Sequence, residues 1–312
     1  MSARNPPTCA VIIPCYNGAR FLRQTIASLF DQTCPPDEII VVDDGSTDDS
    51  AAIASGIHSR IQVIRQANRG ESAARNVGLR AALSNYVVFL DADDLLAPDA
   101  IRHLGAAVAG VPGAVAVMST VSFVDSPETP VERWPTHTAF FPTIIQTNFG
   151  PPHCFCLPRE LALAVGGFRE GLHHSEDWDF WGRIALTGAR IVPVDYDGAL
   201  YRQHPDSQTA TRSRLAIVTG RLRVGEMVAA GVLERPALLN EVGEVLFWSL
   251  WAMRDQARRN GAPVRELLAA DDLLRAIARR GPSRLRRSVL AKTVRYLGVR
   301  AADRLRGLFV PA

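Results

Sequence analysis

The chain has 312 residues, 47% hydrophobic and 21% charged, with a net charge of +3. These values place the chain among ordinary globular proteins rather than disordered ones and leave room for one large α/β domain with a smaller appendage. Five cysteines, an odd number with Cys9 and Cys15 flanking an apolar run, argue against a disulfide scaffold and for a reducing cytosol.

Strand-like and helix-like segments alternate over the first 120 residues. Residues 9–13 (CAVII) read as a buried strand ending at Pro14, and 19–32 as a helix. Residues 38–42 (EIIVV) form a second predicted strand, with a short helix starting near Asp48. A third strand follows at 61–65, a helix at 71–84 and a fourth strand at 86–90 (YVVFL), then a helix from about 98 and a strand at 114–121. Continuous apolar strands alternating with helices predict an α/β fold with a Rossmann-like, mostly parallel sheet flanked by helices. The Pro- and Thr-rich stretch 125–152 reads as a long loop or lid. Residues 159–166 and 176–187 read as helices, and 190–195 and 198–203 as strands. From about 212 the pattern is helical, broken near Pro236, Pro263 and Pro282. The expected division is therefore a nucleotide-binding domain over 1–210 and a helical extension over 211–312.

Asn17, Asp43, Asp44, Asp91 and Asp93 all fall at carboxyl ends of predicted strands, where open α/β sheets bind ligands. The segment Asp91-Ala92-Asp93-Asp94 crowds carboxylates that repel one another unless a cation sits among them, and a hard divalent ion meets that need. A turn or helix cap is the other reading of the same residues. The segment 41–46 (VVDDGS) suits either a grip on a nucleoside or a capped turn, and 68–78 (NRGESAARNVG) brings Arg69 and Arg75 toward an anionic site or an acidic partner. In 174–183 (HSEDWDFWGR) the acids open an amphipathic helix, where they also complement the helix dipole. Trp178 and Trp181 on that helix could be core, or could wall a sugar site. His153 with Cys154 and Cys156 lacks a second ligand pair at zinc-finger spacing.

VIIPCYNG (11–18), VVDDGS, the ARN segment, FLDADD and the later ED-x-x-x-W, in this order, resemble the family 2 glycosyltransferases of the GT-A fold. The resemblance covers residues 9 to about 205. It implies an inverting transfer of a sugar from a nucleotide-diphosphate donor, a UDP-sugar first of all, to an acceptor hydroxyl in polysaccharide or glycoconjugate synthesis. It implies that Pro14, Tyr16 and Asn17 line the nucleoside pocket with Asp43, Asp44, Arg75 and Asp91. Asp93 would bind Mn²⁺ or Mg²⁺, and His204 in YRQHPDSQT would approach the metal or diphosphate, unless it is an ordinary surface histidine. Asp177 would be the general base, Glu176 its support, and Trp178 and Trp181 would lie on the acceptor side.

Two alternatives stay open: a nucleotidyltransferase, and a non-catalytic nucleotide-sugar-binding protein. A dehydrogenase is disfavoured because no G-x-G-x-x-G follows the first strand. Residues 254–306 hold 15 Lys and Arg against 5 Asp and Glu, so the remainder is acidic. The partners expected are the sugar donor, a carbohydrate or lipid-linked acceptor and possible contact of that basic region with an anionic membrane surface, but no nucleic acid. No signal peptide is read in MSARNPPT, so a cytoplasmic protein, peripheral on the inner face of the membrane, is expected.

Overall fold

The computed structural model describes residues 7–124, 126–133, 140–148, 150–172, 175–205, 207, 213–285 and 287–288, with 126–133 described by backbone alone. Strand and helix alternate from the start: β1 (Cys9–Cys15), α1 (Ala19–Phe30), β2 (Glu38–Asp43), α2 (Ser50–Ile57), β3 (Ile61–Arg65), α3 (Glu71–Ala81) and β4 (Tyr86–Phe89). β1 and β4 are buried at every position, as strands covered on both faces must be. β1 runs parallel to β2 and β4, with Ile12 opposite Ile40 on one side and Phe89 on the other. Helix α3 lies so close to β1 that a Cβ on Gly78 would fall 2.3 Å from Cγ2 of Ile12, so only glycine fits there.

The chain continues through β5 (Leu95–Leu96), α4 (Ala100–Gly110), β6 (Val115–Met118), β7 (Thr120–Phe123), β8 (Ser126–Arg133) and α5 (Thr143–Gln146). After a 3₁₀ turn at Pro152–Cys154 come β9 (Phe155–Pro158), α6 (Arg159–Ala164), α7 (Glu176–Leu186), β10 (Ile191–Val194) and β11 (Ala199–Tyr201). The large sheet has the order β10-β6-β9-β4-β1-β2-β3 and is parallel except for β9. A smaller sheet has the order β5-β11-β7-β8.

Two expectations need correction. The strand expected at 114–121 is two strands in different sheets: β6 pairs with β10, and after Ser119 the chain passes to β7, which pairs with β8 and β11. Residues 114–122 are all buried, so the apolar run carries no alternation to mark the change of sheet. The stretch 125–152 is not one long loop. It contains β8, an edge strand in which Pro127 and Pro130 are tolerated, and the short α5. Residues 134–139 lie outside the described ones.

The C-terminal helices are α8 (Arg214–Leu233), α9 (Pro236–Arg259) and α10 (Val264–Arg280). Ser213 caps α8 by accepting the Ala216 N–H, Pro236 opens α9 and Pro263 precedes α10, so the prolines stand where the helices break. Leu239, Val242, Leu246, Leu250, Met253 and Ala257 form the buried stripe of α9. Among the described residues, those within 1–140, 149–172 and 187–211 form one compact unit, and those within 141–148, 173–186 and 212–312 a second. The helical unit thus draws in two earlier segments besides the described residues from 213 onward. No helix among the described residues is long and apolar enough to cross a membrane.

Candidate active site

In the first unit, parallel register brings the ends of β1, β2 and β4 to one edge of the large sheet, with Cys15 opposite Asp43. The loop after β1 and the loop after β2 clasp each other there. Asn17 takes the left-handed conformation (φ 51°), and its side-chain oxygen accepts the Thr47 N–H at 2.8 Å. In return Ser46 Oγ accepts the Asn17 N–H at 3.0 Å, and Ser50 Oγ accepts the Gly18 N–H at 2.9 Å. Pro14 is buried in β1, while Tyr16 is 52% exposed on the same edge. Gly45, at φ 77°, makes the turn after β2, and a Cβ there would meet the Asn68 nitrogen at 2.8 Å.

The two acids after β2 are turned inward. Asp43 accepts the Ser46 N–H at 3.1 Å and pairs with Arg65 at 3.1 Å. Asp44 is buried: one oxygen accepts from the Arg69 N–H and the Gln66 amide, and the other from the Gly70 N–H at 2.8 Å. This carboxylate organises the 66–70 loop that opens α3. Arg69 itself reaches outward to Glu170 at 2.7 Å.

From α3, Arg75 is 2% exposed and bridges Glu71 and Asp91, the latter at 2.6 Å, with its guanidinium 5.0 Å above the Phe168 ring. Of the two roles open to Arg75, the structure shows the acidic pairing. Asp93 keeps its side chain 35% exposed and lies 2.9 Å from Nε2 of His204. Asp94 is buried: it accepts the Arg202 N–H at 2.7 Å and stands 3.3 Å from Nδ1 of His153. Arg202 donates to the Asp93 carbonyl at 2.9 Å and covers the Phe21 ring, on which His204 also leans.

The three acids sit in different electrostatic surroundings. Burial opposes ionisation of Asp91, yet Arg75 above all, with His153, holds its carboxyl below the usual range. Burial, and then the neighbouring Asp91, push Asp93 up. Burial with Asp91 and Asp93 lifts Asp94 well above the ordinary value. Burial lowers His153 to about 4. Burial thus acts on both partners of the Asp94–His153 contact in the direction that disfavours charge. Among the described residues no group of three or more His, Cys, Asp or Glu is arranged to hold a metal ion.

The second unit carries the remaining residues. Asp177 and Glu176 stand in the first turn of α7. Asp177 accepts from the Asn148 amide at 2.7 Å and from the Trp178 N–H at 2.7 Å. Trp178 is pinned by its indole N–H, which donates to the Ile144 carbonyl at 2.8 Å. Trp181 is fully buried, edge-on to Phe180, and its ring offers no face to solvent. His173 and His174, just before α7, lie outside the described residues.

Sequence reasoning missed His153 and Arg202 as neighbours of the acids. His153 was read only with the neighbouring cysteines, although all five cysteines are free thiols and His153 faces the acids instead. Arg202 had a signal, since it sits two residues before His204 in the same loop, but a lone arginine there has no distinctive spacing.

The glycosyl transferase family 2 model matches residues 10–164, and over that span the chain belongs to this family. Glycosyltransferase GlyA of Streptococcus pneumoniae is 41% identical over 119 residues, 37% of this chain and 17% of that protein. An uncharacterised glycosyltransferase of Nostoc sp. is 36% identical over 164 residues, 50% of this chain and 49% of that one. The matches thus span less than half of either relative. The crystal structure of S. aureus TarS 1–349 in complex with UDP-GlcNAc superposes with a TM-score of 0.71 at 21% identity, covering 96% of this chain and 90% of that one. At that identity the likeness is one of GT-A fold.

Proposed function

We propose that the protein transfers a sugar from a nucleotide-diphosphate donor to an acceptor hydroxyl with inversion. The observation that carries this reading is the grading of the acids at the sheet edge. Asp91 is paired with a buried arginine, Asp94 is buried beside Arg202 and His153, and Asp93, the most exposed of the three, has the His204 imidazole beside it. Membership of the family and the UDP and UDP-GlcNAc complexes of the TarS fold relative support a uridine donor. On this reading the first unit serves the donor, and the helical unit, which carries Asp177 and Trp178, serves the acceptor.

Asp93 and His204 would hold Mn²⁺ or Mg²⁺, since a carboxylate and an imidazole suit Mn²⁺ and Mg²⁺ takes one or two carboxylates together with phosphates. Such an ion, when bound, neutralises charge on the departing diphosphate. Tyr16, Asp91 and the 66–70 loop organised by Asp44 orient the nucleoside. Asp177, steered by Asn148, accepts the proton of the acceptor hydroxyl while its oxygen attacks the anomeric carbon. The bond to the diphosphate breaks from the opposite side, and the leaving group keeps the electron pair. Base assistance of this kind contributes roughly 10²–10⁴-fold. We further propose a cytoplasmic location with contact between the basic C-terminal region and anionic lipid, supported by the charge count over residues 254–306.

The test is calorimetry with UDP, with and without Mn²⁺, followed by turnover of a UDP-sugar panel. UDP binding that Asp93→Ala weakens in Mn²⁺, and turnover that Asp177→Asn lowers at least a hundredfold with UDP binding kept, are expected. Absence of UDP binding, or full turnover by Asp177→Asn, would overturn the assignment.

A further inference from the structure

Helix α9 carries a second stripe besides its buried one. Glu244, Trp248, Trp251, Asp255 and Arg259 recur at spacings of three and four, which places them on one face of the helix. The core-facing stripe is filled by Phe247, Met253 and aliphatic residues, and neither tryptophan is among its buried positions. Trp251 is 44% exposed, and Trp248 meets it edge to face with ring centroids 6.1 Å apart. The stripe lines a depression of about 770 Å³ in the second unit, and Trp178 of α7 lines it too. Trp178 is the residue after Asp177, and its hydrogen bond to Ile144 fixes it in place.

We propose that this depression binds a pyranose ring of the acceptor saccharide. The assignment rests on the glycosyl-transfer reading and adds the acceptor's chemistry and place to it. Sugars present two kinds of surface: an apolar face of C–H groups and a rim of hydroxyls. The depression offers the complement of both. Indole faces from Trp248 and Trp251 receive the C–H side, and the carboxylates of Glu244 and Asp255 accept from the hydroxyls. Hydrogen bonding by Arg258 lowers the Asp255 carboxyl, so it stays ionised, and it shares its oxygens with Arg258 and Arg259. A lipid chain would need an apolar lining without these charges, and two carboxylates set beside Arg221 and Arg259 lack the single sign of charge that a polyion would need. Through Trp178 the depression adjoins Asp177, the group assigned to take the acceptor's proton, which is where the far end of a chain-like acceptor must run.

The experiment titrates the full chain with chitotetraose, cellotetraose and xylotetraose while following tryptophan emission, alongside UDP calorimetry on the same preparation. A saturable emission change with at least one saccharide is expected. Trp251→Ala, an exposed position that does not threaten folding, should weaken it roughly tenfold, as truncation of a central aromatic anchor does. Trp248→Phe should weaken it less than Trp251→Ala does, and Leu268→Ala, an exposed change elsewhere in the unit, should give the wild-type curve. UDP binding without any saccharide response, or an equal response from Trp251→Ala, would overturn the acceptor assignment alone. Failure of UDP to bind the wild-type protein would overturn the donor reading beneath it.

Discussion

At the scale of single residues, the site depends on one buried cation. Arg75 supplies the charge that keeps Asp91 ionised and also holds Glu71. Arg75→Met would leave both carboxylates beside a buried apolar side chain. Breaking a buried pair in this way costs about 3–5 kcal/mol. Urea unfolding of the full chain should show a loss of that order, and an unchanged midpoint would show that Arg75 is not the stabilising partner. The positions of the acids were legible in the sequence, because a strand end followed by DADD has few other uses. Their differing surroundings were only partly legible: Arg75 and the neighbouring acids are close in sequence, whereas His153 and Arg202 come 59 and 108 residues further along than Asp94. Asn17 and Asp44 show a similar limit. The sequence put both at the right edge, but only the coordinates show their oxygens occupied by backbone N–H groups of neighbouring loops.

At the scale of elements, the strands β1 to β4 were readable because each is a short apolar run between turn residues. The C-terminal helices were readable from their prolines. The small sheet was not, because β7 continues a buried run without a break in pattern and β8 has the composition of a loop. Within the helical unit one buried polar group marks a contact that hydrophobic periodicity hides. Burial raises Glu226 of α8 to about 7, opposed by Arg223 and by the Ala270 N–H of α10, and reinforced by Glu266. A carboxyl whose folded value lies above its unfolded one binds more protons when folded, so stability falls as pH rises from about 4.5 to about 7. Glu226→Gln should therefore flatten the melting temperature over that window and raise it at pH 7.5. A slope identical to wild type would mean that Glu226 titrates normally.

At the scale of the whole molecule, charge is distributed unevenly along the chain, with an excess of ten positive charges over residues 254–306. The described part of that region places Arg254 against Asp271 and Arg258 and Arg259 against Asp255, so several of these charges are already neutralised. The remaining arginines from 289 onward lie outside the described residues. If they bind anionic lipid as proposed, flotation with phosphatidylserine vesicles should recover the protein at 50 mM salt and lose it at 500 mM, because screening shortens the reach of exposed charge. Recovery that is absent at both, or equal at both, would remove the membrane from the proposal. Composition made this asymmetry visible, whereas it gave no sign that residues 141–148 and 173–186 group with the last hundred.

That interleaving has a practical consequence for anyone recombining this family. The polypeptide passes from one unit to the other five times, at 140/141, 148/149, 172/173, 186/187 and 211/212. A helical tail swapped in from a relative after residue 211 would arrive without the α5 and α7 segments it evolved against. Chimeras spliced at all five junctions should fold more often than those joined at the last alone.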